Sequence, residues 1–202
     1  MSTLFAPAPP AISGAGFLIR ALARIIDAIV GTLLGFVGGI IGSILVLGIF
    51  GAYYGYVPEV IPDNQSTCLS MLLSIVGSIL YHSITESISG YSIGKYVCRL
   101  RVVSTGLRPI GFESALIRNF YFLADAFFFG MVAYSSMSDS SLKQRIGDKR
   151  AKTIVISAAD LPESIVKPRN VQVLGIIVGS YCYFLFLIVP WIATMLKQIF
   201  SD

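Results

Sequence analysis

The chain has 202 residues, of which 55% are hydrophobic and only 13% charged, with a mean hydropathy of +0.78. Soluble domains carry about 25% charged residues, so half that share combined with long apolar runs excludes an ordinary soluble domain and assigns the chain to a membrane. A net charge of +4 and a pI near 9.0 do not signal nucleic acid here, because basic loops that flank membrane spans are held on the cytoplasmic side and drawn to anionic headgroups.

Residues 1–15 contain no charge and three prolines, and lack the basic n-region and continuous apolar core of a secretory leader. A flexible tail is expected. The next segment carries Arg20, Arg24 and Asp27, and then no charge until Glu59. That uncharged run of 31 residues exceeds the roughly 20 that a helix needs to cross about 30 Å of hydrocarbon, so one long helix is expected. Spacings of four and three put Arg20, Arg24 and Asp27 on one face near its inner end. Whether Arg24 replaces or assists Arg20 is open at this level. Gly31/Gly35 and Gly35/Gly39 form small-xxx-small pairs, which permit close helix approach; the expected neighbour is the second span, with a dimer face as the alternative.

Residues 51–67 hold tyrosines, prolines and acids but no Lys or Arg, so they are expected outside, with Tyr53, Tyr54 and Tyr56 as an interfacial belt. Residues 71–88 form the second span, which ends with His82 and Glu86 four residues apart on one face. An unpaired ionisable residue in a span costs about 2.5 to 3.5 kcal/mol even on the lenient insertion scale, so each demands a partner. For His82, the plain reading of a polar residue at an interhelical contact outweighs a proton-handling one. No second His and no Cys stands at ligand spacing, and Cys68, Cys98 and Cys182 lie far apart, so neither a metal site, nor a disulfide framework, nor any cofactor is expected.

The stretch Gly90-Tyr91-Ser92-Ile93-Gly94-Lys95 is one residue too short between its glycines for a phosphate-binding loop, and Tyr96 follows the lysine where a hydroxyl should hold magnesium. Residues 97–103 alternate basic and apolar side chains, as a strand with one wet face does, and Thr153-Ile154-Val155-Ile156 is a second β-branched run. Neither is stable alone, so the two are expected to pair as a small cytoplasmic sheet. Between them, residues 113–137 look like another span but contain Arg118 and Asp125. Basic clusters stand on both sides of it, Lys95, Arg99, Arg101 and Arg108 before and Lys143, Arg145, Lys149, Arg150 and Lys152 after. A single crossing strands one cluster outside, so a re-entrant or interfacial helical pair that breaks near Gly130 is favoured over a plain transmembrane helix. After a polar linker at residues 158–170, residues 171–202 supply a further apolar helix, with Trp191 and Lys197 near its far end.

Taken together, these motifs resemble the RDD family of membrane proteins. Arg20 through Asp27 resembles its R-x-x-A-x-x-x-D opening, and Glu86 ahead of the Gly90–Lys95 turn resembles its acidic residue before a G-x-T-x-G-K turn. Leu100-Arg101-Val102-Val103 is similar to its L-R-V-V strand, Arg118-Asn119 with Asp125 to its R-N-x-x-x-x-x-D helix, and Gln144-Arg145-Ile146-Gly147-Asp148 with Thr153–Ile156 to its close. Ser92, Ile93 and the basic Lys149–Lys152 stretch depart from the pattern. The expected architecture is an all-α membrane protein of about three transmembrane helices, a re-entrant or interfacial helical segment and a two-stranded β element. An RDD-like domain over residues 16–157 is followed by the linker and the extra helix.

No nucleophile elbow or ordered catalytic triad is present, so the chain is not expected to be an enzyme. Arg20, Asp27, Glu86, Arg118, Asp125 and Asp148 are expected to form a polar network joining the first span, the second span and the re-entrant segment, with Gly94 and Lys95 as the turn leading to the basic loop. The resemblance implies cation/proton exchange, with Asp27, Glu86 and Asp125 as ion-coupled carboxylates. The competing expectation is a noncatalytic accessory or scaffold subunit of a larger membrane complex, because about three crossings scarcely enclose a pathway without a homo-oligomer or other subunits. The expected location is the bacterial cytoplasmic (inner) membrane, multi-pass, with the lipid bilayer as the first partner.

Overall fold

A computed structural model describes residues 13–54, 64–125, 130–161 and 165–200. Residues 55–63, part of the stretch expected outside the membrane, the side chains of Tyr53 and Tyr54, and those of Trp191 and Lys197 lie outside the described set, so the expectations placed on them stand outside it too. Three long helices dominate: α1 (Phe17–Tyr54), α2 (Asn64–Ser89) and, last in the chain, α8 (Arg169–Phe200). Each contains a stretch long and apolar enough to cross a bilayer, Phe17–Gly42, Met71–Ser89 and Arg169–Val189. Between α2 and α8 come α3 (Ile93–Val97), strand β1 (Leu100–Ser104), α4 (Phe112–Phe120), α5 (Phe122–Asp125), α6 (Met131–Ser138), α7 (Ile146–Arg150) and strand β2 (Thr153–Ser157).

The exposed apolar side chains of α1, among them Leu18, Ile25, Ile29, Leu33 and Phe36, form the face a bilayer solvates. Its glycines do not meet the second span as expected. A Cβ on Gly31 would touch Tyr183, one on Gly35 Leu187 and one on Gly38 Phe184, all on α8. The reason is that α8 already occupies the flank of α2. Gly175 and Gly179 of α8 form the small-xxx-small pair that matters there, since a Cβ would come within 2.9 Å of Ile88 and Ser89 at the first and 2.4 Å of Thr85 at the second.

Helix α2 ends at Ser89, and the φ of +83° at Gly90 suits the residue just past a helix C-terminus. The chain then turns into α3, which lies against α1 so closely that a Cβ on Gly94 would fall 1.9 Å from the Ala23 carbonyl oxygen. The expected strand from residue 97 begins later. Val97 still belongs to α3, and the turn into β1 puts Arg99 in the left-handed region at φ 54°.

Strands β1 and β2 pair antiparallel as expected, with Leu100 opposite Ser157 and Ser104 opposite Thr153. The expected wet face is absent. Leu100, Val102 and Val155 pack with Ala23, Ile110 and Ala115 on one side, and Val103, Ile154 and Ile156 with Leu161 on the other. Ala15 N–H also donates to the Val155 carbonyl at 2.7 Å, covering part of the outer edge of β2.

The region 113–137 is not a continuous helix. At 1.5 Å per residue, the nine residues of α4 span only about 13 Å, far short of the roughly 30 Å hydrocarbon core, and neither α5 nor α6 is longer. The expected break at Gly130 is present, with φ +86° immediately before α6, and a further break at Tyr121 separates α4 from α5.

Gly94→Ala is therefore expected to cost about 2 kcal/mol or more, because the obstacle is backbone and cannot rotate away. Gly111→Ala, with nothing within 4 Å of the added carbon, is expected to stay within about 0.5 kcal/mol. Thermal midpoints of the two variants in mild detergent check this; equal midpoints would show that α3 does not seat on α1 as described.

Candidate functional site

The ionisable residues of the middle region converge where the N-terminal part of α1 and the C-terminal part of α2 meet α3, α4 and α7. Arg118 of α4 is fully buried and bridges two carboxylates, with Nη1 2.9 Å from Glu86 Oε2 and Nη2 3.0 Å from Asp148 Oδ1. Glu86 also pairs with Lys95 of α3 and accepts a hydrogen bond from Asn119 Nδ2 at 3.1 Å. Asp148 pairs with Arg20 of α1, and Arg20 Nη1 donates to the Lys143 carbonyl at 2.9 Å. The result is an alternating chain, Lys95–Glu86–Arg118–Asp148–Arg20, that crosses five helices.

Local sequence sets this geometry. Arg118 and Asn119 are neighbours in α4, and both reach the same Glu86 carboxylate. Asp148 sits in the first turn of α7, where it also accepts the Arg145 backbone N–H at 3.2 Å, a capping contact that aims its second oxygen at α4. Helix α7 comes close enough because Gly147 lies against the Arg118 carbonyl, 2.6 Å from where a Cβ would be. Burial favours the neutral form of Asp148, but Arg20, Arg118 and Arg145 outweigh it and hold the carboxyl below its ordinary range. Burial likewise opposes the charge on Arg118, and Glu86 and Asp148 more than restore it, raising its pKa.

Asp27 belongs to a separate corner. Among the described residues it has no Lys or Arg within salt-bridge distance; its Oδ2 accepts from Ser92 Oγ at 2.6 Å and its Oδ1 from Gly94 N–H at 2.7 Å, with Tyr81 OH at 3.4 Å. His82, buried in α2, brings Nδ1 to 3.9 Å from Asp27 Oδ2. Arg24 does not duplicate Arg20: its Cζ lies 3.8 Å from the centroid of the Phe122 ring. These three side chains line one end of a cavity of about 490 Å³ between α1, α2, α5 and α8.

Asp125 is linked loosely to the alternating chain through Arg145, whose Nε also lies 3.6 Å from Asp148 Oδ2. It is 1% exposed, neither oxygen makes a hydrogen bond of good geometry among the described residues, and the cation paired with it there is Arg145, with Nε at 3.9 Å. Burial raises its pKa, only partly offset by Arg145. No cluster of three or more His, Cys, Asp or Glu side chains suited to a metal occurs among the described residues.

Several contributors were not singled out from the sequence. Arg145 and Asn119 stood inside recognised motifs and carried that much signal. Ser92, a departure from the family pattern, nevertheless supplies a hydroxyl to Asp27. Gln172, at the polar start of an apolar run, carried none, yet its Oε1 accepts from Tyr91 OH at 2.6 Å and Arg101 Nη2 at 3.0 Å, tying α8 to the turn after α2. The departing basic stretch leaves Lys149, Arg150 and Lys152 exposed, away from the buried network.

A family model described as the RDD family matches residues 14–152. No curated protein and no solved structure matches the chain.

Removing one partner of a buried ion pair leaves the other charge uncompensated, so Glu86→Gln is expected to destabilise by about 3 to 5 kcal/mol. Glu113→Gln at an exposed position is expected to change little, and reversible unfolding in detergent separates the two. The acid response has a definite sign. Asp148 is lower in the folded state than the roughly 3.9 of a free Asp, so its contribution is complete above that value and is lost as pH falls below it. Thermal midpoints should drop below about pH 4 with a limb that Asp148→Asn flattens. Asp125, raised by burial, has the opposite sign, so Asp125→Asn is expected to leave the midpoint at pH 7 unchanged or higher.

Proposed function

This chain belongs to the RDD family, and on that premise we propose that this integral membrane protein is a small ion or solute transporter in which Asp27 is the coupling carboxylate. The observation that carries the reading is the cavity between the spans, with Asp27 and His82 at one end. Of the three carboxylates that the family resemblance nominates, Glu86 is occupied by Lys95, Arg118 and Asn119, and Asp125 does not line the cavity. Asp27 combines a cavity position with partners that are donors rather than fixed cations, Ser92, Gly94 and Tyr81. A carboxylate so placed exchanges a proton for a cation without first breaking a salt bridge.

In this reading the Glu86–Arg118–Asp148 chain is scaffolding that holds α3 and α4 against the spans. The basic loops lie on the cytoplasmic side of a bacterial inner membrane, by the charge rule. No catalytic chemistry is assigned to the site.

A scaffold role in a larger membrane complex is the second reading. It draws on the small number of spans, since three apolar helices enclose the cavity on only part of its circumference unless other helices complete it.

The transport reading expects pH-dependent cation flux in proteoliposomes that is abolished by Asp27→Asn, with the protein still folded by thermal midpoint. Flux that survives this substitution rejects it. Purification in mild detergent separates the alternatives further: a stoichiometric foreign subunit supports the scaffold, and a homo-oligomer supports the transporter.

A further inference from the structure

We propose that the Arg24 corner of the cavity binds the head of a long-chain carboxylate, with its single acyl chain lying along the apolar walls between the spans. Arg20, Lys95, Arg118 and Arg145 each have a carboxylate within 4.0 Å, whereas among the described residues Arg24 has none. Its guanidinium sits over Phe122, its Cζ 3.8 Å from the ring centroid. A cation–π contact engages the face of the group and leaves its in-plane N–H donors unused. Those donors form a planar fork that matches the two oxygens of a carboxylate.

The neighbouring groups do not supply that anion. Asp27, the acidic side chain at this corner, has its oxygens taken by Ser92 and Gly94 and lies beyond salt-bridge distance of Arg24. His82, only 3% exposed, lines the same cavity with Nδ1 3.9 Å from Asp27 Oδ2 and without a hydrogen-bond partner among the described residues, a second buried polar atom a ligand can engage. Away from this charged end the walls are mostly apolar, including Ile75, Ile79, Leu123 and Leu187, with the hydroxyl residues Thr32, Ser74 and Ser78 among them. The volume of about 490 Å³ falls within the roughly 300 to 1,000 Å³ of small-molecule sites and suits one acyl chain rather than the two of a phospholipid. One unpaired guanidinium calls for one negative charge, and a chain-bearing monoanion supplies both the charge and the apolar body.

The inference goes beyond the transport reading and does not rest on it, since binding and flux are separate readouts. The test is calorimetric titration of the full-length chain in maltoside micelles with dodecanoate and with dodecyltrimethylammonium, equal in chain length and opposite in head charge. Saturable dodecanoate binding at one per chain is expected, at least about tenfold tighter than the cation. Arg24→Gln is expected to weaken dodecanoate about 10- to 100-fold, with Arg24→Lys intermediate because a point charge remains without the fork. Equal binding of the two amphiphiles, or dodecanoate affinity unchanged in Arg24→Gln, overturns the proposal. The head-charge comparison on the unsubstituted chain decides the matter even if Arg24→Gln does not fold. Phosphatidylglycerol binding in nanodiscs without any dodecanoate binding overturns it as well.

Discussion

The structure depends on the cost of burying charge. Glu86, Arg118 and Asp148 have essentially no exposed surface, and any one of them alone would cost several kcal/mol to remove from water. They are tolerated because each has opposite charges at hydrogen-bond distance on another element, so the fold must bring α1, α2, α3, α4 and α7 together in one arrangement to satisfy them all. Apolar contacts alone are permissive about register. A bridge such as Glu86–Arg118–Asp148 is not, since sliding α4 by one residue would turn Arg118 away from both acids. In a bilayer, where burying apolar surface between helices gains little over lipid, such pairs and close glycine contacts supply much of the specificity.

The same accounting divides the polar residues into two groups. In the alternating chain every charge faces an opposite charge within 4.0 Å, although Arg118 Nε and Nη2 and Asp148 Oδ1 make no hydrogen bond of good geometry among the described residues. At the cavity end the balance is looser: Asp27 is held by neutral donors, His82 Nδ1 makes no hydrogen bond among the described residues, and Arg24 rests on an aromatic ring. Low dielectric makes incompletely answered groups costly, so their persistence beside a cavity is the feature that separates a candidate working site from a scaffold. Asp125 is an intermediate case, buried and poorly paired but not lining the cavity.

Much of the fold was legible in the residues because membrane burial imposes severe local rules. The 31-residue uncharged run announced α1, the β-branched stretches announced a paired sheet, and basic clusters on both sides of residues 113–137 argued against a single crossing there. Errors arose where the answer lay in a neighbour. Alternation in residues 97–103 suggested a wet strand face, yet Ile110, Ala115 and Leu161 from distant segments cover the sheet on both sides. The glycines of α1 were correctly read as sites of close approach but assigned to the wrong partner, because small residues show that something comes near and not what it is.

Sequence by itself determined the class, the three apolar helices, the pairing of β1 with β2 and the set of ionisable residues that had to find partners, since each follows from composition, periodicity or the cost of an unpaired charge. Only the tertiary structure decided who pairs with whom. It separated Arg20 from Arg24 although they lie one turn apart on one face, sending the first to Asp148 and the second to Phe122 and the cavity. It also made α8 an integral neighbour of α1 and α2, through Gly175, Gly179 and Gln172. The physical reason is that a charge or a glycine specifies a requirement, opposite charge or close contact, that many neighbours satisfy; the chain's three-dimensional course selects one.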